Sequence, residues 1–85
     1  MPQFAFKRSG AMQIVAVDGR PLTFNGNTAT KNLTAGEFSV QWFARGNDGD
    51  AFGLVVGRPN QTPNREIKGT LGATRKDSGV FWLEV

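Results

Sequence analysis

Along most of this chain apolar and polar residues alternate with a period of two, not 3.6, which predicts strands rather than helices. "QFAFK" puts Phe4 and Phe6 on one side. "MQIVAV" sets Met12, Ile14 and Ala16 against Gln13, Val15 and Val17. "PLTF" opens with Pro21, which suits a strand start or a sheet edge. "TATKNL" is polar and threonine-rich, as an edge strand would be. In "EFSVQWFAR", Phe38, Val40 and Trp42 share one face, and Gln41, Phe43 and Arg45 share the other. "AFGLVV" aligns Phe52, Leu54 and Val56, and "EIKGTLGA" puts Ile67 and Leu71 opposite Glu66, Lys68 and Thr70. "VFWLEV" sets Phe81, Leu83 and Val85 against Val80, Trp82 and Glu84.

Turn residues separate these runs. Asp18-Gly19 is a two-residue hairpin signal, because glycine accepts positive φ without strain. Asn25 to Asn27, Gly36, Gly46 and Gly49 punctuate the middle of the chain, and the stretch from Gly57 to Asn64 is the longest loop. Up to eight short strands at a spacing of about ten residues predict an all-β fold. The expected form is a small antiparallel β-sandwich of about seven or eight strands, with a small β-barrel as the alternative. No stretch has the pattern of a capped amphipathic helix. The 85 residues predict one domain over 1–85.

Two segments resemble immunoglobulin-like β-sandwich modules. "SVQWFARG" is similar to the strand that carries that family's buried tryptophan, which implies a core position for Trp42. "DSGVFWLEV" is similar to the D-x-G-x-Y-x-C corner and its strand. Asp77 and Gly79 match, Phe81 stands at the tyrosine position and Leu83 at the cysteine position. Phe81 has no hydroxyl for the corner's hydrogen bond, and the inter-sheet disulfide is absent. The family has a further strand after this one, so the resemblance implies the sandwich architecture and leaves the strand order open.

Composition narrows the chemistry. There is no cysteine and no histidine, which removes disulfides, the usual zinc ligands and the commonest general base. Apolar packing and strand pairing must hold the fold, with an expected stability of about 4–13 kcal/mol. The net charge of +3 is mild, and the basic residues are scattered, with only Lys7-Arg8 and Arg75-Lys76 adjacent. A nucleic-acid binder usually gathers such charge into a stripe. No run approaches the roughly 20 apolar residues of a membrane span, and "MPQFAFKRSG" has no signal-peptide core. Cysteine usage does not fix a compartment.

Candidate catalytic and metal motifs fail on spacing. In "GNDGDAFG", Asn47, Asp48 and Asp50 are oxygen ligands on a glycine loop, but too few and wrongly spaced for a calcium site. "IKGTLGATRK" lacks the phosphate-loop spacing and its helix. Ser9, Ser39 and Ser78 have no histidine to activate them. The expectation is a protein that is not an enzyme and needs no cofactor or metal.

The aromatic residues carry the binding candidates. Phe43 faces away from Trp42, between Gln41 and Arg45. The closing strand is apolar on both faces, so Val80 and Trp82 should either be covered or meet a partner. Trp82, Phe43, Arg45 and Asn47 are therefore the candidate binding residues. The leading expectation is a binding or assembly module that acts through a sheet face or strand edge, on a protein partner or a second copy. Carbohydrate binding by an exposed aromatic and the Asn-rich loops (Asn25, Asn27, Asn47, Asn60, Gln61, Asn64) comes second. Single-stranded nucleic-acid binding by base stacking comes last. "NLT" at Asn32 and "NQT" at Asn60 are glycosylation sequons that matter only in a secreted eukaryotic protein.

Overall fold

The computed structural model describes residues 3–58 and 65–85. Met1, Pro2 and much of the loop after Gly57, including the Asn60 sequon, Gln61 and Asn64, lie outside the described residues. Eight strands follow one another: β1 (Gln3–Gly10), β2 (Met12–Val17), β3 (Arg20–Pro21), β4 (Thr28–Asn32), β5 (Glu37–Arg45), β6 (Ala51–Gly57), β7 (Arg65–Thr70) and β8 (Lys76–Glu84). They form two four-stranded sheets, β4-β1-β6-β7 and β3-β2-β5-β8. Every pairing is antiparallel. The fold is thus a small all-β sandwich, and no described residue is helical.

Strand alternation puts one side chain in two between the sheets. Phe4 and Phe6 of β1, Ala29 of β4, and Leu54 and Val56 of β6 face Val15 and Val17 of β2, Val40 and Ala44 of β5, and Phe81 and Leu83 of β8. No polar or charged residue among those described is buried in this core. The two stretches similar to immunoglobulin-like modules become neighbours, because β5 and β8 pair over nine residues, Glu37 with Glu84 through Arg45 with Lys76.

One corner joins the sheets. β1 ends at Gly10 and β2 begins at Met12, so the chain crosses from one sheet to the other with a single residue, Ala11, between. Gly10 makes the bend at φ +58°, its backbone close against the carbonyl of Ala51. The Ala11 N–H then donates to that carbonyl at 2.9 Å, and the Ala11 C=O accepts from the Arg45 N–H at 3.0 Å. Corners of this kind are made where a strand bends and changes sheet.

Three sequence expectations change. The expected set of Met12, Ile14 and Ala16 on one face is broken by a β-bulge between Met12 and Ile14. The extra residue, Gln13, lets Met12 point inward with Val15 and Val17, while Ile14 stays on the outer face. "PLTF" is not a full strand: only Arg20–Pro21 pairs, at the sheet edge. Leu22 and Phe24 beyond it still pack on the core. Third, Trp42 points inward but is only partly buried. Its ring lies 5.3 Å from that of Phe52, tilted by 33°. Its neighbour on the outermost strand is Gly79, which has no side chain to cover the rest of the indole.

Turn chemistry follows the sequence. Asp18 and Gly19 both have positive φ, 51° and 82°, as a type I′ hairpin requires. The Asn25–Asn27 turn is held by Arg8, whose guanidinium donates to the carbonyls of Gln13 (2.8 Å) and Gly26 (3.1 Å). The same guanidinium lies 4.3 Å from the centre of the Phe24 ring.

Candidate functional site

The outer faces of the two sheets differ in character. On the β4-β1-β6-β7 side the exposed positions include Lys7, Ser9, Thr28, Thr30, Asn32, Glu66 and Lys68. On the β3-β2-β5-β8 side stand the three large exposed apolar residues among those described: Ile14 (51% exposed), Val80 (58%) and Trp82 (63%). Phe43 joins them, partly buried between Ile14 on β2 and Ser78 on β8, its register partners.

Pairing register sets the layout of this face. Trp82 is opposite Ser39, Val80 opposite Gln41, and Ser78 opposite Phe43. Trp82 and Phe43 therefore lie about 13 Å apart along the strands, with Val80 between them. A chain of hydrogen bonds fixes the polar groups beside the indole. The Asp18 carboxylate accepts from the Ser39 N–H (2.8 Å) and hydroxyl (3.1 Å). The Gln41 amide donates to the Ser39 hydroxyl at 2.8 Å, while its Oε1 accepts from the Gly19 N–H at 3.2 Å.

Charge is polarised along the face. At one end Arg45 is opposite Lys76, and with Phe43, Gly46, Thr74 and Arg75 they line a shallow depression of about 430 Å³. Arg75 holds its place there with a positive φ of 60°. At the other end Glu37 is opposite Glu84. The structure thus brings Phe43 and Arg45 together, and places Asn47 beside them around a neighbouring hollow with Gln13 and Ile14. Trp82 shares the face but not that end of it. Sequence reasoning missed Ile14, Arg75 and Lys76 as members. Gln13, a polar residue interrupting Met12, Val15 and Val17, was the available sign of the bulge.

β8 is also the last strand of its sheet. Gly36 and Val85 exchange both backbone hydrogen bonds, at 3.1 and 2.8 Å, and the Gly46 N–H donates to the Arg75 C=O at 3.1 Å. In an antiparallel ladder this fixes which residues point where. Asp77, Gly79, Phe81 and Leu83 bond to β5. Lys76, Ser78, Val80, Trp82 and Glu84 turn their N–H and C=O groups to the other edge, where no strand among the described residues pairs with β8.

The "GNDGD" segment is a tight turn. The Asp50 carboxylate accepts from the Asn47 N–H at 2.8 Å, and the Asp50 N–H donates to the Asn47 C=O at 3.0 Å. The Gly49 N–H ties the turn to the Leu71 C=O at 2.8 Å. Asp50 is thereby used in building the turn. Thermal melts in millimolar calcium and in chelator should coincide, and a calcium-dependent rise of several degrees would overturn that expectation.

Comparison of the chain with protein-family models, with curated proteins and with solved structures finds no significant match to any of the three.

Proposed function

We propose that this chain is a non-catalytic binding or assembly module that works through the outer face of β2-β5-β8 and the open edge of β8. The observation that carries the reading is the placement of Ile14, Val80 and Trp82 on one sheet face. A sheet with one solvated face normally alternates apolar with polar residues. The opposite sheet carries small or part-buried apolar residues on its outer side, Ala5, Ala51 and Val55, among polar ones, whereas this one exposes Val80 and Trp82 along β8. Contiguous exposed apolar surface with a polar rim marks an interaction site, and tryptophan is among the residues most enriched in binding hot spots.

The other candidate chemistries gain less from the geometry. Asn25, Asn27 and Asn47 sit in turns, so the polar groups beside Trp82 are Ser39 and Gln41 rather than a ring of amides. Arg8, Arg58 and Arg65 lie over the rings of Phe24, Phe4 and Phe81, and the basic residues that do gather, Arg45, Arg75 and Lys76, form a patch at one end of the face rather than a stripe along it.

Trp82→Ala should leave the fold intact and weaken partner binding by about 2 kcal/mol or more. The measurement is affinity capture with immobilised wild-type, Trp82→Ala and Lys68→Ala chains, the last altered on the polar face. Urea unfolding, followed through Trp42, checks that each variant is folded. Equal capture by wild type and Trp82→Ala would overturn the reading, as would a Trp82→Ala chain that unfolds.

A further inference from the structure

We infer that the partner of the β8 edge is a second copy of the same chain, paired antiparallel about a two-fold axis through Val80. The inference rests on the reading of this face given above and names its occupant.

β8 is the longest of the four edge strands, nine residues against five for β4, six for β7 and two for β3. Its pairing with β5 runs without a bulge. It contains no proline, and its central run, Ser78 to Trp82, carries no charge. Edge strands that must stay single are usually short, bulged or charged, or contain proline, because a bare edge is a template for another strand.

The register follows from the sequence of β8 itself. A two-fold axis at Val80 puts Val80 opposite Val80, Ser78 opposite Trp82, and Lys76 opposite Glu84. These are the residues whose N–H and C=O groups already face the open edge. Each therefore meets its counterpart as a hydrogen-bonded pair, and the parity needs no adjustment. The Lys76–Glu84 match occurs twice by symmetry. One strand further in, the basic end at Arg45 likewise approaches the acidic end at Glu37 of the other copy. The polarised face is self-complementary in this orientation, and a parallel arrangement would oppose like charges. Trp82 would lie between two small side chains, Ser39 of its own chain and Ser78 of the other, which leaves room for the indole over the central valines.

Two edge groups carry local partners in the single chain. The Ser78 N–H donates to the Asp77 carboxylate at 2.8 Å, and the Lys76 C=O accepts from the Thr74 hydroxyl at 3.2 Å. A carbonyl has two lone pairs, so the second contact can persist. The first must be released, and Asp77, exposed at the start of the strand, is free to turn into solvent. The product is a continuous eight-stranded sheet, β3-β2-β5-β8 followed by its symmetry copy, with Ile14, Phe43, Val80 and Trp82 of both copies on one face.

The test is sedimentation equilibrium of the whole chain from micromolar to millimolar concentration. Wild type should pass from monomer to dimer. Lys76→Glu and Glu84→Lys should each weaken dimerisation by about tenfold, since like charges then face each other across the pair. An equimolar mixture of the two variants should restore it, because the heterodimer regains both opposite-charge matches. Val80→Pro should give a folded monomer, since the lost N–H points to the open edge.

The chain has no cysteine, so introduced thiols report the register directly. Oxidised Val80→Cys should link two chains, because a hydrogen-bonded pair brings the Cα atoms to about 5.5 Å. Trp82→Cys should not link, because its own copy would lie about 13 Å away along the strand. Wild type that stays monomeric at millimolar concentration overturns the inference. So does a mixture no tighter than its components, or cross-linking of the Trp82→Cys chain and not of the Val80→Cys chain. None of these results touches the Trp82→Ala capture experiment, so failure of the homodimer and failure of the binding face are told apart.

Discussion

Gly10→Ala should cost about 2–5 kcal/mol, a large part of what a chain of 85 residues has to lose. Two penalties combine. At φ +58° an alanine is in the left-handed region, which costs about 1–2 kcal/mol. Its Cβ would also press directly on the backbone carbonyl of Ala51, and overpacking of this kind costs about 1–3 kcal/mol or more. The carbonyl cannot retreat cheaply, because it accepts the Ala11 N–H that holds the corner between the sheets. Gly49→Ala is the control, with φ +89° and nothing within 4 Å of the added methyl. It should lose only the backbone part. Urea midpoints of the two variants against wild type check the difference, and a Gly10→Ala chain as stable as Gly49→Ala would show that the corner yields.

The sandwich was legible because, outside the bulge in β2, its inner faces keep a period of two. Phe4 and Phe6, Val40, Leu54 and Val56, and Phe81 and Leu83 all point inward as the alternation requires. The Asp18-Gly19 turn was legible because few other pairs tolerate two successive positive φ values. The bulge at Gln13 was not, since one inserted residue reverses the face of what precedes it while leaving the composition unchanged. Alternation alone puts Met12 outside with Ile14, whereas the bulge returns Met12 to the core and leaves Ile14 on the outer face. The strand order was illegible for a different reason. Alternation describes each strand against its own sheet, and nothing local records which strand lies beside it. The basic end of the site depends on that order, because Arg45 and Lys76 meet only through the β5–β8 pairing. Trp82 was the reverse case. An apolar run on both faces of β8 pointed to an uncovered side, and the exposed indole lies there.

The second large effect is expected at Trp42, where the chain depends on a glycine beside the indole. Trp42→Ala should cost about 3 kcal/mol, at the low end for removal of a large aromatic because the ring is only partly enclosed. It would remove the contact with Phe52 and open a gap between β5 and β6. The more telling variant is Gly79→Ala. A methyl there would stand 2.7 Å from Cζ2, 2.8 Å from Cε2 and 2.9 Å from Nε1 of the indole. The ring cannot swing away without losing Phe52, so Gly79→Ala should cost about 1–3 kcal/mol although its position lies on an edge strand. Trp42→Phe removes the atoms that collide. The double variant Trp42→Phe/Gly79→Ala should therefore be more stable than the sum of the single effects predicts, by about 1 kcal/mol. Denaturant midpoints of the four chains, followed by far-ultraviolet circular dichroism so that loss of a tryptophan does not bias the signal, measure that coupling. Strict additivity would mean that the indole and the Gly79 backbone are not in contact. The immunoglobulin-like tryptophan position would then owe nothing in this fold to the glycine of the corner motif.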